Sequence, residues 1–272
     1  MESVKDKIVL ITGSTDGMGK QTARILLKSG AYVIIHGRNE QRAKNIAKEL
    51  KNSTNAKKIG FVWADFTNLE EVKEMAKQIH QEVDHLDILI NDAGVYQTEK
   101  KVTKEGLEYT FVINHLSHFL LTYLLLDLLK KGLNSRIVNV ASQVQLNRID
   151  FDNLNAEKSF SSYESYGLTK TCNIMFTYDL AERLKEYKIT VNSLHPGVIN
   201  TKLLRQGFGP IGQSIDVGAQ NILYIATSPK LDGITGKYYK NGVAQKSSKV
   251  TYDFEARKKL WERSEELTGI TY

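Results

Sequence analysis

The segment Thr12-Gly13-Ser14-Thr15-Asp16-Gly17-Met18-Gly19 follows a short β-branched run and precedes a helix-like segment. Gly13 permits a tight turn out of the strand, Gly17 removes a Cβ where backbone must approach a phosphate, and Gly19 lets the helix pack closely on the sheet. The N-terminus of that helix offers free N–H groups and the positive end of its dipole. A plain strand-to-helix turn also uses glycine, but three glycines at this spacing after the first strand predict a loop for a dinucleotide pyrophosphate.

Strand-like and helix-like segments alternate along the whole chain. The strand candidates are Ile8–Thr12, Tyr32–His36, Ile59–Ala64, Ile88–Asn91, Arg136–Ala141, Thr190–Leu194 and Gly236–Tyr239. The helix candidates are Met18–Lys28, Glu40–Lys51, Leu69–Val83, Lys104–Lys131, Tyr163–Tyr187, Val217–Thr227 and Asp253–Leu267. This alternation predicts an α/β fold, a Rossmann-type doubly wound parallel sheet of about seven strands flanked by helices. Because no linker or repeat interrupts it, we expect one domain over 1–272, with a cofactor half at about 1–145 and a substrate half at about 146–272.

Composition excludes several classes of protein. The net charge of +6 is spread among interleaved acidic and basic residues, so we expect no nucleic-acid partner. Cys172 is the single cysteine, which excludes an intrachain disulfide and suits a reducing compartment. No signal peptide precedes the first strand, and the apolar run Leu116–Leu129 is short and holds His118 and Asp127. We therefore expect a soluble, cytoplasmic protein without a membrane anchor. His115 and His118 lack further residues at ligand spacing, so no metal is expected.

The end of the second strand predicts which dinucleotide is bound. Binders of NAD carry a carboxylate there that holds the ribose 2′-hydroxyl, whereas this strand ends Ile35-His36-Gly37-Arg38-Asn39. Gly37 leaves room, and Arg38 is suited to a charge-assisted bond with a 2′-phosphate. The pattern favours NADP(H), with NAD(H) as the alternative if Arg38 merely begins a surface helix.

A catalytic pair lies in the helix candidate that follows the fifth strand. Tyr166 and Lys170 are four residues apart, so they share one helix face. A free tyrosine has a pKa near ~10, and a nearby ammonium lowers it. Ser142 ends the fifth strand, and ligands of open α/β sheets bind at the carboxyl ends of the strands. We interpret Ser142 as the group that holds a substrate oxygen beside the tyrosine, although strand-ending serines also occur in ordinary turns.

Taken together, these motifs resemble the short-chain dehydrogenase/reductase family over essentially the whole chain. They are Thr12-Gly-x-x-x-Gly-x-Gly19, Asn91-Asp-Ala-Gly94, Asn114, Ser142, Tyr166-x-x-x-Lys170 and Pro196-Gly197. The closer resemblance is to the retinol-dehydrogenase-like branch. It is carried by Asn114-His-Leu-Ser-His-Phe-Leu-Leu-Thr122, Arg136-Ile-Val-Asn-Val140, Cys172-Asn-Ile-Met-Phe-Thr177, His195-Pro-Gly-Val198 and Leu260-Trp-Glu-Arg-Ser-Glu-Glu-Leu267.

The resemblance implies roles for individual residues. Tyr166 would be the acid–base, Lys170 would bind the nicotinamide ribose and lower the pKa of the tyrosine, and Ser142 would polarise the carbonyl. Asn114 would kink its helix and hold a water in a proton relay to Lys170. The remaining cofactor contacts would be Asn39, Asp65, Phe66, Asn91, Ala93, Gly94, Pro196, Gly197, Val198 and Thr201.

Two residues depart from the family pattern. Asp92 replaces the second asparagine of Asn-Asn-Ala-Gly, which we expect to alter local hydrogen bonding more than chemistry. Asp16 stands where many NADP-binding relatives carry a basic residue, which leaves Arg38 as the one predicted ligand of a 2′-phosphate.

The resulting hypothesis is an NADP(H)-dependent oxidoreductase that acts on a small-molecule carbonyl or alcohol, a lipophilic one by the resemblance. Two other classes remain open: a nucleotide-sugar-type epimerase or lyase, which also uses Tyr-x-x-x-Lys, and a non-catalytic dinucleotide sensor. The Gly-rich segment Lys202–Gln213 is interpreted as a lid over the substrate or as an ordinary loop. The second apolar face of Leu116–Leu129 is a candidate contact for a homodimer or homotetramer.

Overall fold

The computed structural model describes residues 4–272, which contain one eight-stranded sheet. The strands are β1 (Ile8–Ile11), β2 (Tyr32–Gly37), β3 (Ile59–Trp63), β4 (Ile88–Asn91), β5 (Ser135–Val140), β6 (Ile189–His195), β7 (Lys237–Lys240) and β8 (Val243–Gln245). They are ordered β3-β2-β1-β4-β5-β6-β7-β8, and all pairs are parallel except β7 with β8. The chain reverses its direction of winding between β1 and β4, and ligands of such sheets bind at the carboxyl ends of the strands at this point.

Helices cover both faces of the sheet. They are α1 (Gly17–Lys28), α2 (Glu40–Thr54), α3 (Leu69–Glu82), α4 (Tyr109–Phe111), α5 (Ser117–Leu124), α6 (Leu126–Lys131), α7 (Ser162–Arg183), α8 (Lys202–Phe208), α9 (Ile215–Thr227) and α10 (Phe254–Thr268). Side chains of Asp16, Asn39 and Asn68 accept hydrogen bonds from the first-turn N–H groups of α1, α2 and α3, which fixes where these helices begin. The doubly wound parallel sheet predicted from the sequence is thereby confirmed.

Strand residues alternate between two apolar cores. Leu10, Leu89 and Val191 pack into the core on the side of α3, α5 and α7. On the same strands, Ile11, Ile90 and Leu194 pack into the core on the side of α1 and α9. Because both faces of each central strand are buried, the strands read as continuous apolar runs in the sequence.

The helix predicted over Lys104–Lys131 is wrong at its start and is interrupted. Val102 pairs with Glu108 as an isolated antiparallel bridge, and Gly106 has φ +78, so helix begins only at Tyr109. Val112–Leu116 then forms a π-helical turn, and the chain breaks again at Leu125 before α6. A π turn inserts one extra residue, which bends the helix and redirects its side chains.

Two further elements were not predicted from the sequence: strand β8, and helix α8 within the segment predicted as a lid. Asn241 and Gly242 join β7 to β8 with φ values of +52 and +72, the geometry of a two-residue hairpin turn. The Asn-Gly pair was thus an available signal for a hairpin. Lys202–Gln213 is partly ordered as α8 and ends with glycines at positive φ, Gly209 and Gly212.

The outer face of α5 is covered by the C-terminal part of the same chain. Phe119 packs its ring 5.1 Å from the Trp261 ring and 4.8 Å from the Tyr272 ring, measured between centroids. His115 Nε2 lies 3.0 Å from the Ser264 hydroxyl of α10. This part of the face predicted as a subunit contact is therefore buried within one chain. Across residues 4–272, no helix combines the length and apolar character that crossing a bilayer requires.

Candidate active site

The phosphate loop of the sequence is a cradle of exposed backbone between β1 and α1. A Cβ on Gly13, which has φ +68, would lie 2.8 Å from the Cα of Ala93. A Cβ on Gly19 would lie 2.8 Å from the Asp92 carboxylate, so neither position tolerates a side chain. At Gly17 the space is open, and the nearest atom to such a Cβ is the Thr201 methyl group at 3.9 Å. The open space between this loop and Thr201 fits a dinucleotide pyrophosphate at the N-terminus of α1.

Two buried histidines hold this loop from beneath. His36 Nδ1 accepts the Gly13 N–H at 3.1 Å, so its Nε2 carries the proton that is donated to Ala64. His118 Nδ1 donates to the Asn114 carbonyl at 3.1 Å, so its Nε2 accepts the Thr12 hydroxyl at 2.9 Å. Burial lowers the pKa of His36 to about 4 and that of His118 to about 3, so both rings are neutral. Within residues 4–272 no cluster of His, Cys, Asp and Glu is arranged for a metal ion.

Several predicted cofactor residues support the loop rather than line the open space. The Ser14 hydroxyl donates to Ile11 and accepts the His36 N–H, and Phe66 stacks on His36 with 4.4 Å between ring centroids. Asn91 Nδ2 donates to the Asn139 side chain at 2.8 Å, which links β4 to β5. These side chains fix the strand ends from which the loop projects.

The edge beside β2 carries charges that the sequence did not assign. Arg38 is exposed, and Asn39 is occupied as the N-cap of α2, where it accepts the Arg42 N–H at 3.0 Å. The Asp16 carboxylate is bound by the Arg42 guanidinium at 3.3 Å and by the Lys202 ammonium. The Asp65 carboxylate accepts the Thr67 N–H and hydroxyl. Asp16 is therefore paired with two cations, neither of which was predicted to contact the phosphate loop.

The predicted catalytic side chains meet at the carboxyl end of β5, against α7. Tyr166 is 7% exposed, Lys170 3% and Ser142 6%. The side chains of Tyr166 and Ser142 line the same cavity, and Ser142 Oγ accepts the Val144 N–H at 3.1 Å. Lys170 Nζ donates to the Val140 carbonyl at 2.9 Å and lies 5.6 Å from the centre of the Tyr166 ring.

Asn114 lies in the π turn that interrupts the helix, next to this cluster. Its amide nitrogen donates to the Val95 carbonyl at 3.0 Å and to the Thr169 hydroxyl at 3.1 Å, while its oxygen accepts the Val95 N–H. A Cβ on Gly94 would lie 3.5 Å from the Asn114 oxygen and 3.7 Å from Lys170 Nζ. The amide therefore ties the loop after β4 to α7 beside the lysine.

The pKa of the tyrosine differs from the sequence expectation. Burial raises the pKa of Tyr166 to about 12, although the hydrogen bond from Ser142 opposes the rise. Burial also lowers the pKa of Lys170 to about 8 and raises that of Asp92 to about 7. Desolvation is the largest cause of the raised tyrosine pKa, and the Asp92 charge adds to it, in place of the lowering expected from the lysine. Tyr166 is thus a protonated phenol at neutral pH, able to donate a proton.

A cavity of about 280 Å³ opens beside Tyr166. Ten predicted or flagged residues line it: Met18, Asp92, Gly94, Ser142, Tyr166, Lys170, Pro196, Gly197, Val198 and Thr201. The other lining residues are Val140, Ala141, Gln143, Val144, His195, Ile199, Leu203, Leu204, Phe208 and Ile211, of which the last four lie in the segment predicted as a lid. Eight of these ten residues are apolar. Those of α8 and its flanks form an apolar outer wall opposite the polar catalytic side chains.

Aromatic rings connect two lining residues of the cavity, Tyr166 and Phe208, through Tyr96. The Tyr96 ring lies 5.5 Å from the Tyr166 ring and 5.3 Å from the Phe208 ring, between centroids. A Cβ on Gly207 would lie 3.0 Å from the Tyr96 ring, so this glycine lets α8 pack tightly on the tyrosine. Tyr96 follows Gly94 by two residues, and that proximity to a recognised motif was the available signal for it.

Comparison with known proteins identifies relatives of the whole chain. The model of the short chain dehydrogenase family matches residues 7–208. Human retinol dehydrogenase 14 is 36% identical in an alignment that covers 97% of this chain and 87% of that protein. Human polyprenol dehydrogenase is 32% identical, with 97% and 86% covered.

Solved structures share the architecture. A protein of uncharacterised function from Mycobacterium paratuberculosis has a TM-score of 0.83 at 28% identity, with 99% of this chain and 96% of that one covered. A short chain dehydrogenase from Escherichia coli CFT073, complexed with NADPH, has a TM-score of 0.72 at 21% identity, with 88% and 98% covered. At 21% identity, the similarity to the Escherichia coli structure shows a shared fold only.

The family match and the dehydrogenase relatives extend over most of the chain, and the Ser142, Tyr166 and Lys170 side chains lie together at the carboxyl ends of its strands. The chain is therefore an oxidoreductase acting on CH–OH groups with NAD(P), and it belongs to the retinol-dehydrogenase-like branch of the short-chain dehydrogenase/reductase family.

Proposed function

We propose that this enzyme interconverts a lipophilic carbonyl compound and its alcohol, with NADP(H) as the preferred cofactor and Tyr166 as the acid–base. One observation carries the proposal: Tyr166 and Ser142 line the same cavity, and the outer wall of that cavity is apolar. Two hydroxyl side chains in one cavity suit a reacting oxygen atom, and the apolar wall suits the rest of a lipophilic molecule.

The proposed chemistry assigns each side chain a task. Ser142 holds the substrate oxygen, and Tyr166, protonated at neutral pH, donates its proton to that oxygen as the carbonyl is reduced. Lys170 binds the ribose hydroxyls and supplies positive charge beside the phenol as the phenolate forms. Asn114 keeps the loop after β4 in place beside Lys170. The bound cofactor supplies or accepts the hydride.

The charges beside β2 support the preference for NADP(H). The residues directly after β2 are Arg38 and Asn39, so no carboxylate stands at the strand end, where one would repel a 2′-phosphate. Arg38 is exposed at this edge. The unfavourable charge of Asp16 is offset by Arg42 and Lys202. We propose that two arginines bind the 2′-phosphate: Arg38 as the main ligand and Arg42 as the second.

The apolar outer wall supports a lipophilic substrate. Leu203, Leu204, Phe208 and Ile211 face the cavity with no charged side chain among them. Two relatives carry the names retinol dehydrogenase and polyprenol dehydrogenase, which denote alcohols with long hydrocarbon parts. Assembly into a homodimer or homotetramer stays a prediction, and such an assembly would have to use surface other than the part of α5 that α10 covers.

The test is oxidation of NADPH and of NADH, followed at the nicotinamide absorbance, with a panel of aliphatic, aromatic and isoprenoid aldehydes and ketones. We expect turnover, with kcat/KM for NADPH well above that for NADH. Turnover of the cofactor excludes the epimerase class, and cofactor binding without any turnover would contradict the proposal and favour a sensor. Arg38→Asp should reverse the preference, since it replaces the proposed phosphate ligand with a carboxylate. Lys51→Asp, at the far end of α2, is the matched control for net charge.

A further inference from the structure

His195 is a polar side chain of the cavity that the chemistry above leaves unused. It is the last residue of β6, is 6% exposed, and lines the cavity together with Ser142 and Tyr166. Its Nδ1 is buried and, within residues 4–272, has no hydrogen-bond partner. A buried side chain that lines a cavity and has an unpaired polar atom is a candidate for contact with a ligand.

The strand register places His195 on the catalytic face of the sheet, toward the substrate end. Leu194 packs into the core beside α9, and side chains alternate along a strand, so His195 points to the opposite face, where α7 carries Tyr166. Its neighbour on the outer side is Lys240 of β7. The strands β6 and β7 lie beyond β5, on the side away from β1 and its phosphate loop.

The imidazole is neutral and has one N–H to donate. Burial and, to a lesser extent, the Lys240 charge lower the pKa of His195 to about 4. A neutral imidazole has one donor and one acceptor nitrogen, and orphaned buried donors are rarer than orphaned acceptors. The enclosed Nδ1 is therefore the unprotonated nitrogen. Since Nδ1 is enclosed by protein, the ring can offer the cavity only Nε2, which then carries the proton.

Much of the cavity lining is apolar, including Val144, Ile199, Leu204 and Phe208. The side-chain oxygen of Gln143, a polar residue of the same lining, accepts a hydrogen bond from the Lys240 ammonium at 2.9 Å. A substrate that is hydrocarbon throughout would leave the imidazole N–H unpaired, whereas an oxygen atom at this point would pair with it.

We propose that His195 Nε2–H binds a second oxygen of the substrate, so that the enzyme prefers carbonyl compounds with a hydrogen-bond acceptor, such as an ether or hydroxyl oxygen, in addition to the reacting group. This proposal rests on the reductase function proposed above. It narrows the substrate from lipophilic carbonyls in general to amphiphilic ones whose second oxygen lies on the β7 side of Tyr166.

The experiment compares matched aldehydes in which one methylene is replaced by an ether oxygen, moved one position at a time along the chain. The measured quantity is the ratio of kcat/KM for each ether to that for its methylene parent. For the native enzyme we expect the ratio to peak at one position at about 10, the worth of one buried hydrogen bond. His195→Leu should flatten the peak to about 1, because leucine fills a similar space without a donor. His195→Gln, whose amide nitrogen reaches a similar place, should restore part of the peak.

Three results would overturn the proposal. A flat series in the native enzyme would show that no donor acts on the substrate at this point. An unchanged peak in His195→Leu would assign the donor to another residue. A weaker NADPH affinity in His195→Leu, measured by fluorescence titration without substrate and with the peak intact, would assign the imidazole to the cofactor. Turnover of the methylene parents by the native enzyme separates these failures from failure of the reductase function, in which no aldehyde would be reduced.

Discussion

The phosphate loop and the outer wall of the cavity are built in opposite ways. The loop is held by backbone and buried side-chain hydrogen bonds, including those of His36 and His118, and by glycines that tolerate no side chain. The outer wall is α8 and its flanks, where no residue of α8 is buried and Ile211 is 53% exposed. The first region can accept one ligand geometry, whereas the second can adapt to many. With this arrangement, residues of the outer wall can change to suit a different substrate while the phosphate loop continues to bind the same cofactor.

Tyr166 lies where the two regions meet, and its loss should have the largest effect. Tyr166→Phe removes the proton donor while leaving the ring packed against Tyr96, so we expect kcat to fall by about 10³-fold. NADPH affinity, measured by fluorescence titration, should stay near that of the native enzyme because the phosphate loop is untouched. The matched control is Tyr163→Phe, one turn earlier on α7 and half exposed. Retention of most activity in Tyr166→Phe would remove the phenol from the proposed chemistry.

Acid should weaken the loop region, because two of the side chains that support it are histidines held neutral by burial. The pKa values of His36 and His118 lie at about 4 and 3, below the value of about 6.5 in an unfolded chain. Between pH 6.5 and 4 the unfolded state therefore binds more protons, and the free energy of unfolding falls as pH falls. Each ring should account for about 3 kcal/mol between pH 7 and pH 4. Above pH 7 neither ring contributes a slope.

Urea titrations across this pH range measure the slope. His36→Asn keeps an acceptor near the Gly13 N–H but cannot be protonated, so it should flatten the pH dependence even if it lowers stability overall. The control is His85→Asn, at the surface beside Asp84. Equal slopes in the native protein and His36→Asn would show that His36 does not carry the acid sensitivity of the loop.

The same contrast explains what could be predicted from the sequence. The phosphate loop depends on backbone geometry that only glycine allows. The catalytic pair Tyr166 and Lys170 is one helical turn apart. Local patterns therefore predicted both the sheet and the catalytic cluster. The cavity wall depends on which apolar residues of α8 meet Tyr96, more than a hundred residues away in sequence. Apolar side chains form no directional hydrogen bonds, so an apolar loop in a sequence does not indicate which residues it will contact. The sequence did not predict His195 as a site residue, because the absence of a hydrogen-bond partner for its Nδ1 is a property of the packed fold.

Asp16 shows how a local pattern can mislead. In the sequence it stands alone as an acidic residue in a phosphate loop, which counts against NADP(H). In the structure it lies between Arg42, four residues after Arg38, and Lys202 at the start of α8. The second cation comes from the substrate half of the chain, so no reading of the loop by itself would have found it.

The smallest effect is expected from a substitution in the outer wall, which should change the substrate range without changing the cofactor affinity. Phe208 lines the cavity and packs on Tyr96 and Tyr163, with centroid distances of 5.3 and 6.4 Å. Phe208→Ala removes apolar contact worth about 1–1.5 kcal/mol, so KM for a large lipophilic aldehyde should rise about 10-fold. KM for a small aldehyde that does not reach α8, and the affinity for NADPH, should change little.

Phe254→Ala, an exposed phenylalanine at the start of α10, is the matched control for this variant. Equal increases of KM for large and small aldehydes in Phe208→Ala would mean that α8 orders the catalytic side chains as well as the outer wall. A loss of NADPH affinity would mean that the wall and the phosphate loop, joined through Lys202 and Asp16, act as one unit. A change confined to large substrates would instead show that the adaptable wall sets substrate choice while the rigid loop sets the cofactor.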